Sequence, residues 1–94
     1  MNIQAEVSLY PLRTAAVGPV VEDFITCLRR TGLQVDVGPM STRITGKCTQ
    51  LFAALGASFA AVAGNSEVVL VARISNACPA SIQPNREDDD AEPT

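Results

Sequence analysis

The first strand that the sequence predicts constrains the fold more than any other segment. Polar and apolar residues alternate strictly in Gln4-Ala5-Glu6-Val7-Ser8-Leu9-Tyr10-Pro11. Successive side chains of a strand face opposite sides of a sheet, so we expect Ala5, Val7 and Leu9 to contact the core together. The opposite face then carries a carboxylate, a hydroxyl and a phenol, a set that suits a small polar ligand.

Hydrophobic periodicity predicts six elements in the order β-α-β-β-α-β. The strands are expected at residues 3–10, 33–37, 40–45 and 67–75, and the helices at 19–31 and 47–63. Pro11 is expected to end the first strand, and Gly32, following Arg29 and Arg30, to stop the first helix. The tight turn at Gly38-Pro39 predicts a hairpin of the second and third strands. The apolar stripe of the second helix is expected at Leu51, Phe52, Leu55, Phe59 and Val62.

This element order is typical of one α+β architecture, the ferredoxin-like βαββαβ sandwich. Its four-stranded antiparallel sheet has both helices on one face, and the first strand lies between the third and the fourth. We expect the helix-free face to carry polar residues from the first three strands, namely Glu6, Ser8, Tyr10, Gln34, Asp36, Ser41, Arg43 and Thr45.

The fourth strand indicates that the helix-free face is covered. It is almost continuously apolar, and Val69 and Val71 should point away from the helices. A second copy of the chain is the simplest cover, so we expect a homo-oligomer, a dimer or a tetramer, through this face. Glu6 should lie between Arg43 and Arg73. Two roles are open for it: a ligand contact, or a member of an ion-pair network at the interface.

Charge is concentrated at the C-terminal end. The net charge is −3, and residues 86–94 alone hold five acidic residues and one arginine. We expect a folded ligand-binding domain over residues 1–82 and a disordered acidic tail over residues 83–94. No basic stripe indicates nucleic acid, and no long apolar run indicates insertion into a membrane. Without a recognisable signal peptide, the expected location is the cytoplasm.

Few residues of the chain favour catalysis or metal binding. Histidine is absent, and the cysteines Cys27, Cys48 and Cys78 form no Cys-x-x-Cys pair, so we expect no metal site. Cys27 and Cys48 follow helical patterns and are expected in the core.

An acylphosphatase-like hydrolase needs an anion-binding loop after the first strand. Arg13 lies near that loop, but Gly18 is its only glycine. Binding is therefore favoured over catalysis, with a purely structural or regulatory oligomer as a further alternative.

Four segments, in order, carry a family resemblance. They are Ser8-Leu9-Tyr10-Pro11, Ser41-Thr42-Arg43-Ile44-Thr45-Gly46, Phe52 with Phe59, and Ile74-Ser75-Asn76-Ala77-Cys78-Pro79. Over residues 4–79 the chain resembles the YkoF-type thiamine/hydroxymethylpyrimidine-binding domains of the thiamine-binding protein family. The resemblance implies a non-catalytic binder of thiamine or its pyrimidine moiety, in uptake or salvage, without a cofactor. It also implies association through sheet faces, with a homodimer in place of the tandem domains of YkoF.

The chemistry of that ligand agrees with the residues available. A carboxylate can neutralise the thiazolium cation, an aromatic ring can stack on it, and hydroxyls and amides can bond the edge of the aminopyrimidine. The predicted ligand-binding residues are therefore Glu6, Ser8, Tyr10, Ser41, Thr42, Ser75 and Asn76.

Overall fold

The strands form one antiparallel sheet in the order β2-β3-β1-β4, and both helices cover the same face of it. The computed structural model describes residues 1–77. Its elements are β1 (Asn2–Leu12), α1 (Val17–Arg30), β2 (Gln34–Val37), β3 (Thr42–Lys47), α2 (Cys48–Ala63) and β4 (Glu67–Ser75). This is the predicted ferredoxin-like fold, with β1 between β3 and β4. Cys78 and the predicted acidic tail lie outside the described residues.

The core lies between the sheet and the two helices, where the alternation of β1 predicts it. Ile3, Ala5 and Val7 are buried, and Leu9 packs against them half-buried. From the other elements the core receives Phe24, Leu28, Leu33, Ile44, Leu51, Ala54, Leu55 and Val62. Burial of these apolar side chains stabilises the sandwich by removing hydrocarbon from water, at roughly 25 cal/mol per Å².

The register of the strands confirms which residues share the helix-free face. Glu6 of β1 lies opposite Arg43 of β3 on one side and opposite Arg73 of β4 on the other. Arg43 in turn lies opposite Asp36 of β2. Further along, Ser8 lies opposite Val71 and Tyr10 opposite Val69. The predicted position of Glu6 between two arginines is therefore confirmed.

β1 is longer than predicted, because Pro11 does not end it. β1 pairs with β3 only as far as Val7, opposite Thr42, but it pairs with β4 as far as Leu12, opposite Glu67. Residues 8–12 therefore have a strand neighbour on one side only. A proline is tolerated in a strand with an open side, since its missing N–H need not join a ladder there.

Two other boundaries differ from the prediction for local reasons. β3 begins at Thr42 because Gly38 N–H donates to the carbonyl of Ser41 (2.9 Å), which makes Met40 and Ser41 part of the turn. α1 begins at Val17, before Pro19. The first four N–H groups of a helix have no partner within it, so a proline is accepted anywhere in the first turn.

The predicted apolar stripe of α2 is wrong at Phe52, which is exposed, and Phe59 is only half-buried. The buried residues of this helix are Leu51, Ala54, Leu55, Ser58 and Val62. They share one face at the helical period, and Phe52 lies off it.

Cys48 is half-buried and packs against the core, and Cys27 is also half-buried. Among the described residues no helix is long and apolar enough to cross a membrane.

Candidate functional site

A cleft opens beside β1 at the point where β3 no longer accompanies it. Its volume is about 200 Å³. It is lined by residues 7–10 of β1, by residues 37–42 of the β2–β3 hairpin, and by Val21, Phe24 and Ile25 of α1. The cleft lies where β1 continues beyond the end of its pairing with β3. Side chains from both faces of the sheet therefore reach it.

Four of the predicted ligand-binding residues meet in this cleft: Ser8, Tyr10, Ser41 and Thr42. Ser8 and Tyr10 approach it from the helix-free face, and Tyr10 remains 52% exposed. Thr42 is buried, because it lies opposite Val7 and therefore faces the helices. The cleft therefore combines one phenol and three aliphatic hydroxyl groups with an apolar floor.

Glu6 lies next to the cleft and is connected to it through Ser41. The hydroxyl of Ser41 donates to Oε2 of Glu6 (2.9 Å), while Nε of Arg73 lies 4.0 Å from Oε1. A second, wider groove of about 350 Å³ is lined by Glu6 and Ser41 and continues past Asp36, Met40 and Arg43. Ser41 lines both cavities, so it holds one carboxylate oxygen of Glu6 at their junction.

Ser75 and Asn76 are not brought to the cleft. Ser75 lies opposite Gln4, six residues before Tyr10 in β1, so Ser75 and Tyr10 are about 20 Å apart along the strand at 3.3 Å per residue. The Ser75 hydroxyl accepts a hydrogen bond from the N–H of Ala77 (2.9 Å) and lines a separate groove of about 280 Å³ with Glu6 and Arg73. A small molecule seated in the cleft does not span this distance.

Sequence reasoning missed the contribution of α1 and of the hairpin loop. Val21 and Ile25 of α1 are half-buried and line the cleft with Phe24. Met40 was assigned to a strand, yet it is 88% exposed in the loop at the mouth of the cleft. An apolar residue in a hairpin turn is the one signal in the sequence that points to this location.

The chemistry of the cleft suits a flat heteroaromatic ring with polar edges. Small-molecule sites are mostly apolar concavities with a few polar groups that fix orientation, and this cleft has that composition.

Among residues 1–77 no three acidic or cysteine side chains cluster as metal ligands do. Arg13, near the loop that an acylphosphatase-like site would use, is ion-paired with Glu67.

The fold and the cleft together define a small ferredoxin-like domain with a candidate site for a small molecule. The model of one protein family, the thiamine-binding proteins, matches residues 5–83. The chain therefore belongs to the thiamine-binding protein family. No curated protein matches it.

Solved structures share the fold. A hypothetical protein from Methanocaldococcus jannascii is 25% identical, with a TM-score of 0.74 over 83% of this chain and 82% of that one. A Thermotoga maritima protein proposed to act in thiamine biosynthesis or salvage is 16% identical, with a TM-score of 0.72 over 79% and 82%. A Streptococcus pneumoniae protein is 19% identical, with a TM-score of 0.79 over 87% and 93%.

Proposed function

We propose that this chain binds thiamine or its hydroxymethylpyrimidine moiety in the cleft beside β1, without catalysing a reaction, and serves thiamine uptake or salvage in the cytoplasm. The observation that carries the proposal is the convergence of Ser8, Tyr10, Ser41 and Thr42 on one apolar-floored cleft. Membership of the thiamine-binding protein family supports the choice of ligand.

The cleft offers each part of such a ligand a matching surface. The aminopyrimidine is flat and apolar on its faces, which suits the side chains of Phe24 and Ile25. Its ring nitrogens and amino group need hydrogen-bond partners at the edge, which hydroxyls supply because they both donate and accept. The half-exposed ring of Tyr10 is available to stack on a cationic thiazolium.

Glu6 is the anionic group of the proposed site. Its Oε2 already accepts from Ser41, and a carboxylate oxygen has a second lone pair for another donor. A ligand amino group at the junction of cleft and groove would therefore compete with water, not with Ser41. The nearby Arg73 is largely exposed, so it reduces but does not remove the attraction of Glu6 for a cation.

Thermal-shift measurement tests the proposal. A ligand that binds only the folded state, at a free concentration of about 100 times its Kd, stabilises the protein by about 2.7 kcal/mol, which raises the Tm of a domain of this size by roughly 10–20 °C. We expect this response from thiamine or hydroxymethylpyrimidine and none from choline, a cation without an aromatic ring. No shift with either compound at millimolar concentration contradicts the proposal.

The proposal includes self-association through the helix-free face. Val69 and Val71 are both exposed on β4 in the single chain, although valine is more often buried in a sheet. β4 is also an edge strand, so nothing within residues 1–77 lies beyond it. A homo-oligomer that covers this face removes both valines from water.

A further inference from the structure

A further groove lies between the two helices, on the side of the sheet opposite to the helix-free face. Its volume is about 250 Å³, and no residue that lines it also lines the cleft beside β1. One wall is a stripe of α1 that runs from Val20 to Arg30. The other wall is the last turn of α2, together with Asn65 and Ser66 of the turn that follows it. We call this cavity the interhelical groove.

The interhelical groove carries one charge of each sign. Asp23 and Arg30 both line it, and both are exposed. They lie on α1 about two helical turns apart, which is about 10.5 Å along the axis. Ion pairs on a helix form at spacings of three or four residues, and the residues at those spacings between them are the uncharged Thr26 and Cys27. Within residues 1–77 neither Asp23 nor Arg30 takes part in an ion pair, so the two charges face the same groove without neutralising each other.

The uncharged polar groups of the groove are also available to a ligand. Thr26, Asn65 and Ser66 supply two hydroxyls and an amide, and none of these side chains makes a hydrogen bond within the described part of the chain. The backbone N–H of Asn65 donates to the carbonyl of Val62 (3.3 Å). That bond holds the turn against the end of α2, so the two polar side chains of the turn are presented at a fixed place beside the groove.

The two ends of the groove favour opposite charges. α2 begins at the edge of the sheet where β1 begins, since the N–H of Cys48 donates to the carbonyl of Met1 (3.0 Å), whereas α1 follows the end of β1. The helices are therefore antiparallel, and the C-terminal end of α2 lies closer to Asp23 than to Arg30. That end carries partial negative charge, and the last turn of α2 has no basic residue to offset it. The last turn of α1 does have basic residues, Arg29 and Arg30.

We propose that the interhelical groove binds a short linear zwitterion, with its ammonium group at Asp23 and its carboxylate at Arg30. A simple anion is attracted by Arg30 but repelled by Asp23, and a simple cation the reverse, whereas a zwitterion gains from both residues. This site is separate from the cleft, so it neither requires nor excludes the ligand proposed there.

The length of the groove sets the length of the zwitterion. A hydrogen-bonded ion pair spans about 3 Å between heavy atoms, so one contact at each end leaves roughly 4–5 Å between the two charges of the ligand. The hydrocarbon between those charges would lie on Val20, which is half-buried, and Val62, which is buried, and would be removed from water there. An amino acid with its ammonium group at the far end of a short methylene chain has this form, and γ-aminobutanoate is the probe that we choose.

Amide chemical shifts of the isotope-labelled full chain, followed during titration with γ-aminobutanoate, test the proposal. We expect saturable shifts at residues 20–30 and 61–66 in the millimolar range of ligand, because each exposed ion pair contributes little to affinity. Butanoate and butylammonium each carry only one of the two charges. They should therefore bind about fivefold more weakly or worse.

α1 offers a matched pair of charges outside the groove. Glu22 and Arg29 have the same signs and the same spacing as Asp23 and Arg30, and both are exposed, but neither lines the groove. We expect Asp23→Asn and Arg30→Gln each to raise the Kd for γ-aminobutanoate about fivefold, and Glu22→Gln and Arg29→Gln to leave it unchanged. Arg29 and Arg30 share the last turn of α1, so a difference between them reports on the groove and not on the stability of the helix end.

The thiol of Cys27 provides a second measurement, because it is half-buried and lines the groove. γ-Aminobutanoate should slow the alkylation of Cys27 by iodoacetamide, measured by mass spectrometry, without slowing that of Cys48, which is also half-buried but lies outside the groove. Circular dichroism melting confirms that each variant is folded. Equal binding of butanoate and γ-aminobutanoate, equal effects of Arg29→Gln and Arg30→Gln, or no saturable shift at tens of millimolar ligand overturns the proposal.

Discussion

At the scale of single residues, Glu6 has a role that one substitution can resolve. Its carboxylate accepts from Ser41 at the edge of the cleft and faces Arg73 on the other side. Both proposed roles, as the anionic partner of the ligand and as a member of an ion-pair network at the interface, use the charge of Glu6. In the first role the affinity for the ligand depends on that charge, and in the second the association of the chains depends on it.

We predict that Glu6→Gln weakens thiamine binding roughly thirtyfold, since loss of a charged hydrogen-bond partner from a desolvated site costs about 2 kcal/mol or more. Calorimetric titration measures this, with Glu22→Gln as the matched loss of one exposed carboxylate on α1, which lines neither the cleft nor the groove. Unchanged affinity in an intact oligomer rules out the ligand role and leaves Glu6 as an interface residue.

Gly46 is required by packing. A Cβ atom at this position would lie 2.3 Å from Cδ2 of Leu33, which is itself buried. We predict that Gly46→Ala lowers the free energy of unfolding by about 1–3 kcal/mol, the usual cost of overpacking a core.

Gly56→Ala is the control for Gly46→Ala. Nothing lies within 4 Å of a Cβ atom at Gly56, which is in α2. Alanine is the better helix former by about 1 kcal/mol, so this variant should be more stable than the wild type. Urea denaturation measures the free energy of unfolding of both variants. Equal changes of the same sign would show that contact with Leu33 does not determine the effect of a Cβ atom at position 46.

At the scale of elements, β4 was predicted with its correct bounds and the cleft was not predicted. A continuous apolar run between turn residues defines β4 locally. The cleft depends on β1 extending beyond its pairing with β3, and that is set by where the Gly38–Ser41 hydrogen bond closes the hairpin. Strand alternation therefore placed Tyr10 and Ser41 on the helix-free face, and the family resemblance assigned them to a ligand site, but neither indicated the α1 residues that complete the cleft.

The same limit explains the errors at β1 and α2. Pro11 ends a strand that is paired on both sides, and only the tertiary arrangement leaves one side of β1 open. Phe52 was predicted in the apolar stripe of α2 from the helical spacing of its large apolar residues, yet Ala54 and Ser58 occupy the buried face. Helical spacing narrows the choice of face, and the packing against the sheet decides it.

We predict that Val71→Asp dissociates the homo-oligomer, because a carboxylate would be buried without a partner on the apolar part of the helix-free face that β4 contributes. Val17→Asp is the matched control: Val17 is 47% exposed, close to the 49% of Val71, but it lies on α1 away from that face. Light scattering at micromolar concentration compares them. A monomeric wild type, or equal dissociation of both variants, contradicts the assignment of the interface.

At the scale of the whole molecule, the described domain contains a complete sandwich core and the candidate cleft within residues 1–77. Every residue of that core and every lining residue of the cleft precedes the acidic segment at the C-terminal end. Folding and ligand binding should therefore not need that segment.

We predict that deleting residues 84–94 leaves the Tm and the affinity for thiamine unchanged. The segment removed is rich in acidic residues and contains no large apolar residue that would anchor it to the domain. Thermal melting and titration of the truncated chain measure both quantities. A lower Tm or a weaker affinity would show that the tail contacts the domain.

The central claim is that the cleft beside β1 binds thiamine or its pyrimidine moiety. Calorimetric titration of the wild type, of Tyr10→Ala in the cleft and of Ser75→Ala about 20 Å away along β1 tests it most directly. The account predicts one ligand per chain, an affinity at least tenfold weaker in Tyr10→Ala, and an unchanged affinity in Ser75→Ala. The absence of binding heat with either compound, or an affinity lost in Ser75→Ala and kept in Tyr10→Ala, would contradict it.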